Sequence, residues 1–220
     1  MALTLAQFNK ENAMESGTVY LAVYDTMADW EYGYVMAHLN SKEFQQHPGS
    51  ITVKTVGRTL EPVTTKGGIR ILPDLCLDDL QIKQAKMLIL PGGDSAESDG
   101  ISDFADKAVQ CVAEGVPVAA ICGATVALAK KGLLDNVPHT SNAAAYLEMT
   151  GYQGSAHYRQ QPAVSSDLII TAGGVAPIEF AVEIFRKLNV YTQPVLEAWT
   201  MLFKDQNLHA FHKLMAESEQ

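Results

Sequence analysis

Long apolar runs are missing from this 220-residue chain: the longest, such as 116–121 and 19–23, are about one strand long, whereas a membrane-crossing helix needs roughly 20 consecutive apolar residues. No membrane partner is expected. Residues 1–18 are polar and mixed in charge, without the basic head and apolar core of a secretory signal, so the expected location is the cytoplasm. Basic residues are outnumbered, 16 against 25 acidic, giving a net charge of −9. That balance argues against a phosphate-backbone clamp, and no nucleic acid is expected as a partner. Cysteine is scarce: Cys76, Cys111 and Cys122 are too few, and odd in number, for a disulfide framework, which predicts free thiols. The ligand spacing of a metal site and the GK[ST] ending of a phosphate loop are both missing, so neither a metal nor another cofactor is expected. No linker, charge block or repeat divides the chain, and 19–220 reads as a single domain behind an N-terminal extension, 1–18. Within that extension, 3–13 has the spacing of a short amphipathic helix with Leu5 and Phe8 as its apolar contacts.

What is present is an ordinary globular composition, 47% hydrophobic and 19% charged, arranged as strands alternating with helices. Residues 19–24 form a β-branched and aromatic run, the first buried strand. From Asp29, the apolar residues Trp30, Val35, Met36 and Leu39 recur at helical spacing until the breaker cluster at 47–49. Residues 51–56 alternate as a strand, and 62–72, centred on Lys66-Gly67-Gly68, read as a hairpin. Strands at 87–90 and 116–121 flank a helix over 101–113 with Phe104, Ala108 and Val112 inward. An alanine-rich helix over 123–131 stops at Gly132. A helix at 142–149, strands near Ala163 and at 168–171, a helix at 177–188 and two short helices within 192–217 complete the pattern. The alternation predicts an α/β doubly wound, mostly parallel sheet with helices on both faces, where ligands bind beyond the carboxyl ends of the strands. Three loops leave such ends: 25–31, 91–95 and 122–125.

Cys122, in Ala119-Ala120-Ile121-Cys122-Gly123-Ala124, stands at a strand-to-helix junction flanked by small residues, the local pattern of a nucleophile elbow. Unpaired N–H groups and the positive end of the following helix are expected to lower its pKa; the competing reading is a small buried hydrophobe. Cys76, in a loop, and Cys111, in a helix, read as packing residues. Pro91-Gly92-Gly93-Asp94 places two glycines after a buried strand, where backbone N–H groups can approach a ligand. With the N–H of Gly123 these amides suit an oxyanion hole. Glu31, taken alone, reads as a solvated first-turn acid, and Asp29 as an N-cap. No histidine adjoins Cys122; His139 and His157 are those that folding could bring near.

In this order the motifs resemble the DJ-1/PfpI (ThiJ/PfpI) superfamily, whose fold is similar to class I glutamine amidotransferase domains. The resemblance spans roughly 19–188 and rests on Asp29-Trp30-Glu31, Leu90-Pro91-Gly92-Gly93-Asp94, Ala119 to Gly123, and Thr171-Ala172-Gly173-Gly174 leading to Glu179-Phe180-Ala181. It implies a flavodoxin-like fold with Cys122 at the elbow, Glu31 hydrogen-bonded to it as a protonated carboxyl, Gly93 and Gly123 as oxyanion donors, and a homodimer. Asp94, Ser141, Asn142 and His157 are candidate substrate contacts, Ser141 or Asn142 standing where glyoxalase-like members usually place a histidine. The protease-like branch carries His directly after the cysteine, where this chain has Gly123. Amidotransferases pair a His with the acid after the last strand, and Ala176-Pro177-Ile178-Glu179 supplies only the acid; both activities are disfavoured. The resemblance thus implies a cysteine-dependent enzyme acting on a small carbonyl or amide-like compound, glyoxalase/deglycase-like or hydrolase-like. The alternative is a redox-responsive stress protein or chaperone without turnover, in which Cys122 is oxidised.

Overall fold

β-Branched and aromatic runs become strands and the apolar-periodic segments become helices, within the residues that the computed structural model describes, 16–218. The helix expected at 3–13 lies outside them. The described chain runs β1 (Gly17–Ala22), α1 (Asp29–Ser41), β2 (Ile51–Gly57), β3 (Val63–Thr64), β4 (Arg70–Ile71), β5 (Leu75–Cys76), β6 (Ala85–Leu90), α2 (Asp94–Glu97), α3 (Ser102–Ala113), β7 (Val118–Ile121) and α4 (Ala124–Lys130). It continues through α5 (Ala144–Glu148), β8 (Ala163–Ser165), β9 (Ile169–Ala172), α6 (Pro177–Lys187), α7 (Gln193–Phe203) and α8 (His209–Ser218).

The main sheet has seven strands in the order β5-β2-β1-β6-β7-β9-β8. All neighbours are parallel except β8, which runs antiparallel to β9 at the edge. This is the mostly parallel, flavodoxin-like α/β arrangement the alternation predicts. Because β1 lies between β2 and β6, the winding reverses there and opens a crevice at the carboxyl ends of β1 and β6. The 62–72 hairpin is present as the antiparallel pair β3–β4.

Four details differ from expectation. β1 begins at Gly17, two residues inside the expected extension, since the Gly17 N–H already bonds Ser50 O. Cys76 is not in a loop but pairs with Gly57 as the short edge strand β5. Val112 on α3 is only partly buried. Asp29 is not an N-cap: Ala28 holds that position without a side-chain bond, and Asp29 is the first residue of the helix.

Helix ends follow local chemistry. α1 stops where Lys42 turns left-handed at φ 64, and Gly115 and Gly132 take φ +77 and +74 after α3 and α4. On α3, Phe104, Ala105, Ala108 and Cys111 face the core, and on α6 so do Phe180, Ala181, Ile184 and Phe185, the spacing of a buried helical stripe. Phe185 carries the junction of α1, α6 and α7. Its ring stands 5.2 Å from that of Trp199 at 87°, and the Trp199 Nε1–H donates to His38 Nε2 at 3.3 Å. Phe185 is fully buried, so Phe185→Ala is expected to lower stability by about 3–5 kcal/mol. Urea unfolding checks this; an unchanged midpoint would mean that the three helices do not depend on this contact.

Candidate active site

Cys122 follows the last residue of β7 with φ 57, a left-handed conformation that residues other than glycine seldom adopt. Strain of this kind costs on the order of 1–3 kcal/mol and persists only where the surroundings impose it. Here the Cys122 N–H donates to Ala172 O at 3.0 Å, and its carbonyl accepts from the Thr125 N–H at 3.1 Å and Thr125 Oγ1 at 2.6 Å. Two glycines make room for the side chain. A Cβ on Gly92 would stand 2.7 Å from Cys122 Cβ and 2.8 Å from Gly123 N, and one on Gly174 would stand 2.7 Å from Cys122 Sγ.

The structure overturns the solvated reading of Glu31 taken alone, because its side chain is 1% exposed. Its Oε2 accepts the Gly92 N–H at 2.5 Å, and its buried Oε1 has no partner of strict hydrogen-bond geometry. The Cys122 thiol is the side chain the carboxyl interacts with. Burial pushes Glu31 up to about 7, against donation from Gly92 and the thiol. Burial and then the Glu31 charge push Cys122 up to about 11, against donation from Asn142 and the Gly123 N–H. The expected depression of the thiol is therefore corrected. The amide at the start of α4 does favour the anion, but burial and a carboxylate outweigh it. The thiol favours the carboxylate by donating to it and the carboxylate disfavours the thiolate, so the two titrate as one pair that carries a single negative charge between about 7 and about 11.

Asn142 lies across the sulfur from an exposed loop. Its Nδ2 donates to Cys122 Sγ at 3.4 Å while its Oδ1 accepts the Gly174 N–H at 2.8 Å, and Gly174 O accepts the Trp30 Nε1–H at 2.9 Å. The Gly174 N–H fixes which end of the amide faces sulfur. Ser141 is buried, its Oγ 2.6 Å from Thr125 Oγ1, so it braces the elbow from behind. Gly93 precedes α2 and stands against Gly123, a Cβ on the latter meeting Gly93 O at 3.4 Å. The two expected oxyanion donors are thus neighbours.

Two expected contacts are not brought to the cleft. Asp94 pairs with Lys66 Nζ at 2.6 Å with its side chain 65% exposed, because the hairpin places a cation beside it. His157 sits on the 3-10 turn Ser155–His157. The neighbouring His139 is buried, its ring nitrogens 2.8 Å from Val137 O and 3.1 Å from Tyr152 Oη. Neither histidine lines the cleft.

A cleft of about 910 Å³ opens over the sulfur, lined by Trp30, Cys122, Ser141 and Asn142, by 160–162, by 173–177 and by Glu179. Sequence reasoning missed Trp30 as a wall, Tyr146, and the contact of the expected hairpin with the loop after β1. Tyr146 Oη donates to Glu97 Oε1 at 2.8 Å, and burial, then Glu97, push the phenol upward. The hairpin clasps the β1–α1 loop: the Lys66 N–H donates to Met27 O, the Gly67 N–H to Asp29 Oδ2 at 2.6 Å and the Thr64 N–H to Asp25 Oδ1 at 2.7 Å. Asp25 and Asp29 are therefore loop pins. Their only sequence signal is two short-range acids beside a turn. Among the described residues, no three of His, Cys, Asp or Glu gather to hold a metal ion, and no helix is long and apolar enough to cross a membrane.

The DJ-1/PfpI family model matches residues 17–187. A Bacillus subtilis (strain 168) relative, named "Uncharacterized protease YoaZ", is 42% identical over 205 residues, covering 92% of this chain and 98% of its own. The Caenorhabditis elegans protein "Glutathione-independent glyoxalase DJR-1.2" is 33% identical over 147 residues, 64% of this chain and 75% of its own. Among solved structures, a thiJ/pfpI family protein from Bacillus anthracis superposes with a TM-score of 0.88 at 40% identity, covering 94% of this chain and 99% of its own.

The raised Glu31 value fixes the sign of a stability effect. A carboxyl lifted from 4.5 to about 7 adds most to stability below pH 4.5, and that contribution is lost as pH rises through 7. Glu31→Gln, which keeps an oxygen for the Gly92 N–H, is expected to stabilise the protein by up to about 3 kcal/mol at pH 8 and by nothing near pH 4.5. Urea midpoints at the two pH values measure it; equal midpoint shifts at both would refute the buried-charge argument.

Proposed function

Since the chain belongs to the DJ-1/PfpI family, we propose that it is a cysteine-dependent enzyme acting on a small carbonyl or amide-like compound through Cys122, in the cytoplasm and as a homodimer. The observation that carries this reading is the strained Cys122, set between the Glu31 carboxyl and the Asn142 amide at the floor of the cleft. A side chain held at φ 57 against small residues is what a nucleophile needs in order to project from a strand end.

For a carbonyl substrate, the thiol proton passes to Glu31 as sulfur attacks the carbonyl carbon. The S–C bond forms, the C=O π pair moves to oxygen, and the backbone N–H groups of Gly93 and Gly123 hold the resulting oxyanion. Return of the proton from Glu31 to that oxygen yields a neutral hemithioacetal. Asn142, fixed by Gly174, donates to the sulfur while it is anionic. The relative named a glyoxalase supports carbonyl chemistry. The relative named a protease is the weaker guide, because Gly123 follows the cysteine and neither His139 nor His157 lines the cleft.

A second reading, oxidation sensing, is favoured by the partial exposure of Cys122 beside the donors Asn142 and Gly123. Two equivalents of peroxide would convert the thiolate to a sulfinate and release two waters, and these donors suit the new oxygens. Intact-mass analysis after mild peroxide should then find two added oxygens, absent from Cys122→Ala. Addition at Cys76 or Cys111 instead would remove this reading.

For the enzyme reading, Cys122→Ser is expected to reduce turnover of simple glyoxals to background, and Glu31→Gln to lower kcat/KM by about 10²–10⁴-fold. The singly ionised pair accumulates above its first ionisation, so kcat/KM should rise with pH through about 7, and Glu31→Gln should lose that limb. Full activity in Cys122→Ser would end the proposal.

A further inference from the structure

Resting on that reading, we infer that the carbonyl compound taken by this site is an uncharged or cationic electrophile carried on an aromatic or apolar body, and that Trp30 selects it. A cleft of about 910 Å³ belongs to the range that holds drug-sized ligands and far exceeds what a three-carbon dicarbonyl fills. Trp30 is 52% exposed at its wall. Its indole N–H is already donated to Gly174 O, so the ring needs no further polar partner and its surface is free to stack on a flat group. Val175, 98% exposed on the same lining, extends the apolar surface.

Charge narrows the class further. Among the described residues, the cleft lining contains no lysine or arginine, and its one charged rim residue, Glu179, is 3.2 Å from Lys204. Behind the sulfur stands the carboxyl of Glu31, which feels the charge of Glu97, while the cation that acts on it, Lys66, is paired with Asp94. The remaining polar groups, on Gln160, Gln161 and Asn142, are neutral. A carboxylate-bearing substrate would find no cation in the cleft lining to receive it, on a chain whose net charge is −9.

The test compares methylglyoxal, phenylglyoxal and 4-carboxyphenylglyoxal, following formation of the 2-hydroxy acid that each gives with one water. The expected kcat/KM for phenylglyoxal exceeds that of the other two by about tenfold or more. Trp30→Ala should bring the phenyl-to-methyl ratio close to one. Trp30→Phe, which keeps a ring but not the N–H, should preserve it and so separates stacking from the support of Gly174. An independent arm needs no turnover: acetophenone should slow iodoacetamide labelling of Cys122, whereas acetone and benzoate should not. Absence of turnover with selective protection by acetophenone would remove the proposed function and keep the ligand class. Turnover with equal ratios, protection by benzoate, or a Trp30→Ala ratio unchanged from wild type would overturn the inference.

Discussion

The approach of the Glu31 carboxyl to the Cys122 thiol constrains everything around it, because two ionisable groups share a space that tolerates one negative charge. Burial raises both, and the Glu31 charge raises the thiol further, while the thiol, by donating, favours the carboxylate. What favours the charged forms is local: the Gly92 N–H, the thiol and the Lys66 charge act on the carboxylate, and the Asn142 amide and Gly123 N–H on the sulfur. Such a pair is destabilising when ionised. It persists because the glycine-lined loops around the elbow hold both groups in place.

Close backbone approach supplies that confinement. Gly92 and Gly174 let two loops pack against the elbow at distances no larger residue permits. Thr26, also left-handed at φ 68, accepts the Ser95 N–H on its Oγ1 at 3.0 Å, tying the loop after β1 to the one after β6. The hairpin then pins the first loop from outside through Asp25 and Asp29. Backbone strain at Cys122 and Thr26 is thus held by hydrogen bonds from segments distant in the chain, above a core that includes the fully buried β6 and β7 residues Leu88, Ile89, Ala119 and Ala120. The environment of the sulfur is consequently asymmetric. Glu97 and Tyr146 form a polar shoulder on one side, and Trp30 and Val175 leave an apolar wall along the cleft.

Much of the fold is legible in residue patterns because period and punctuation are local. The alternating runs, the helical stripes on α3 and α6 and the glycine stops each report on a few neighbouring residues, and element order then restricts the winding of the sheet. The elbow is legible for the same reason: a cysteine between a buried strand and an alanine-rich helix is a local statement. Cys76 was misread because a two-residue edge strand has too little pattern to register, and Asp29 because capping preference competes with a contact made 38 residues away.

The chain's own order of residues determined the alternation of strands and helices, the position of Cys122 and the pair of glycines after β6. Three-dimensional packing alone decided that Glu31 is buried against that thiol, that its value rises to about 7, and that Asn142 rather than a histidine reaches the sulfur. The reason is physical. Periodicity records which face of an element avoids water, but desolvation and charge coupling depend on distances between segments that meet only when the sheet closes, such as Glu31 with Cys122 and Trp30 with Gly174.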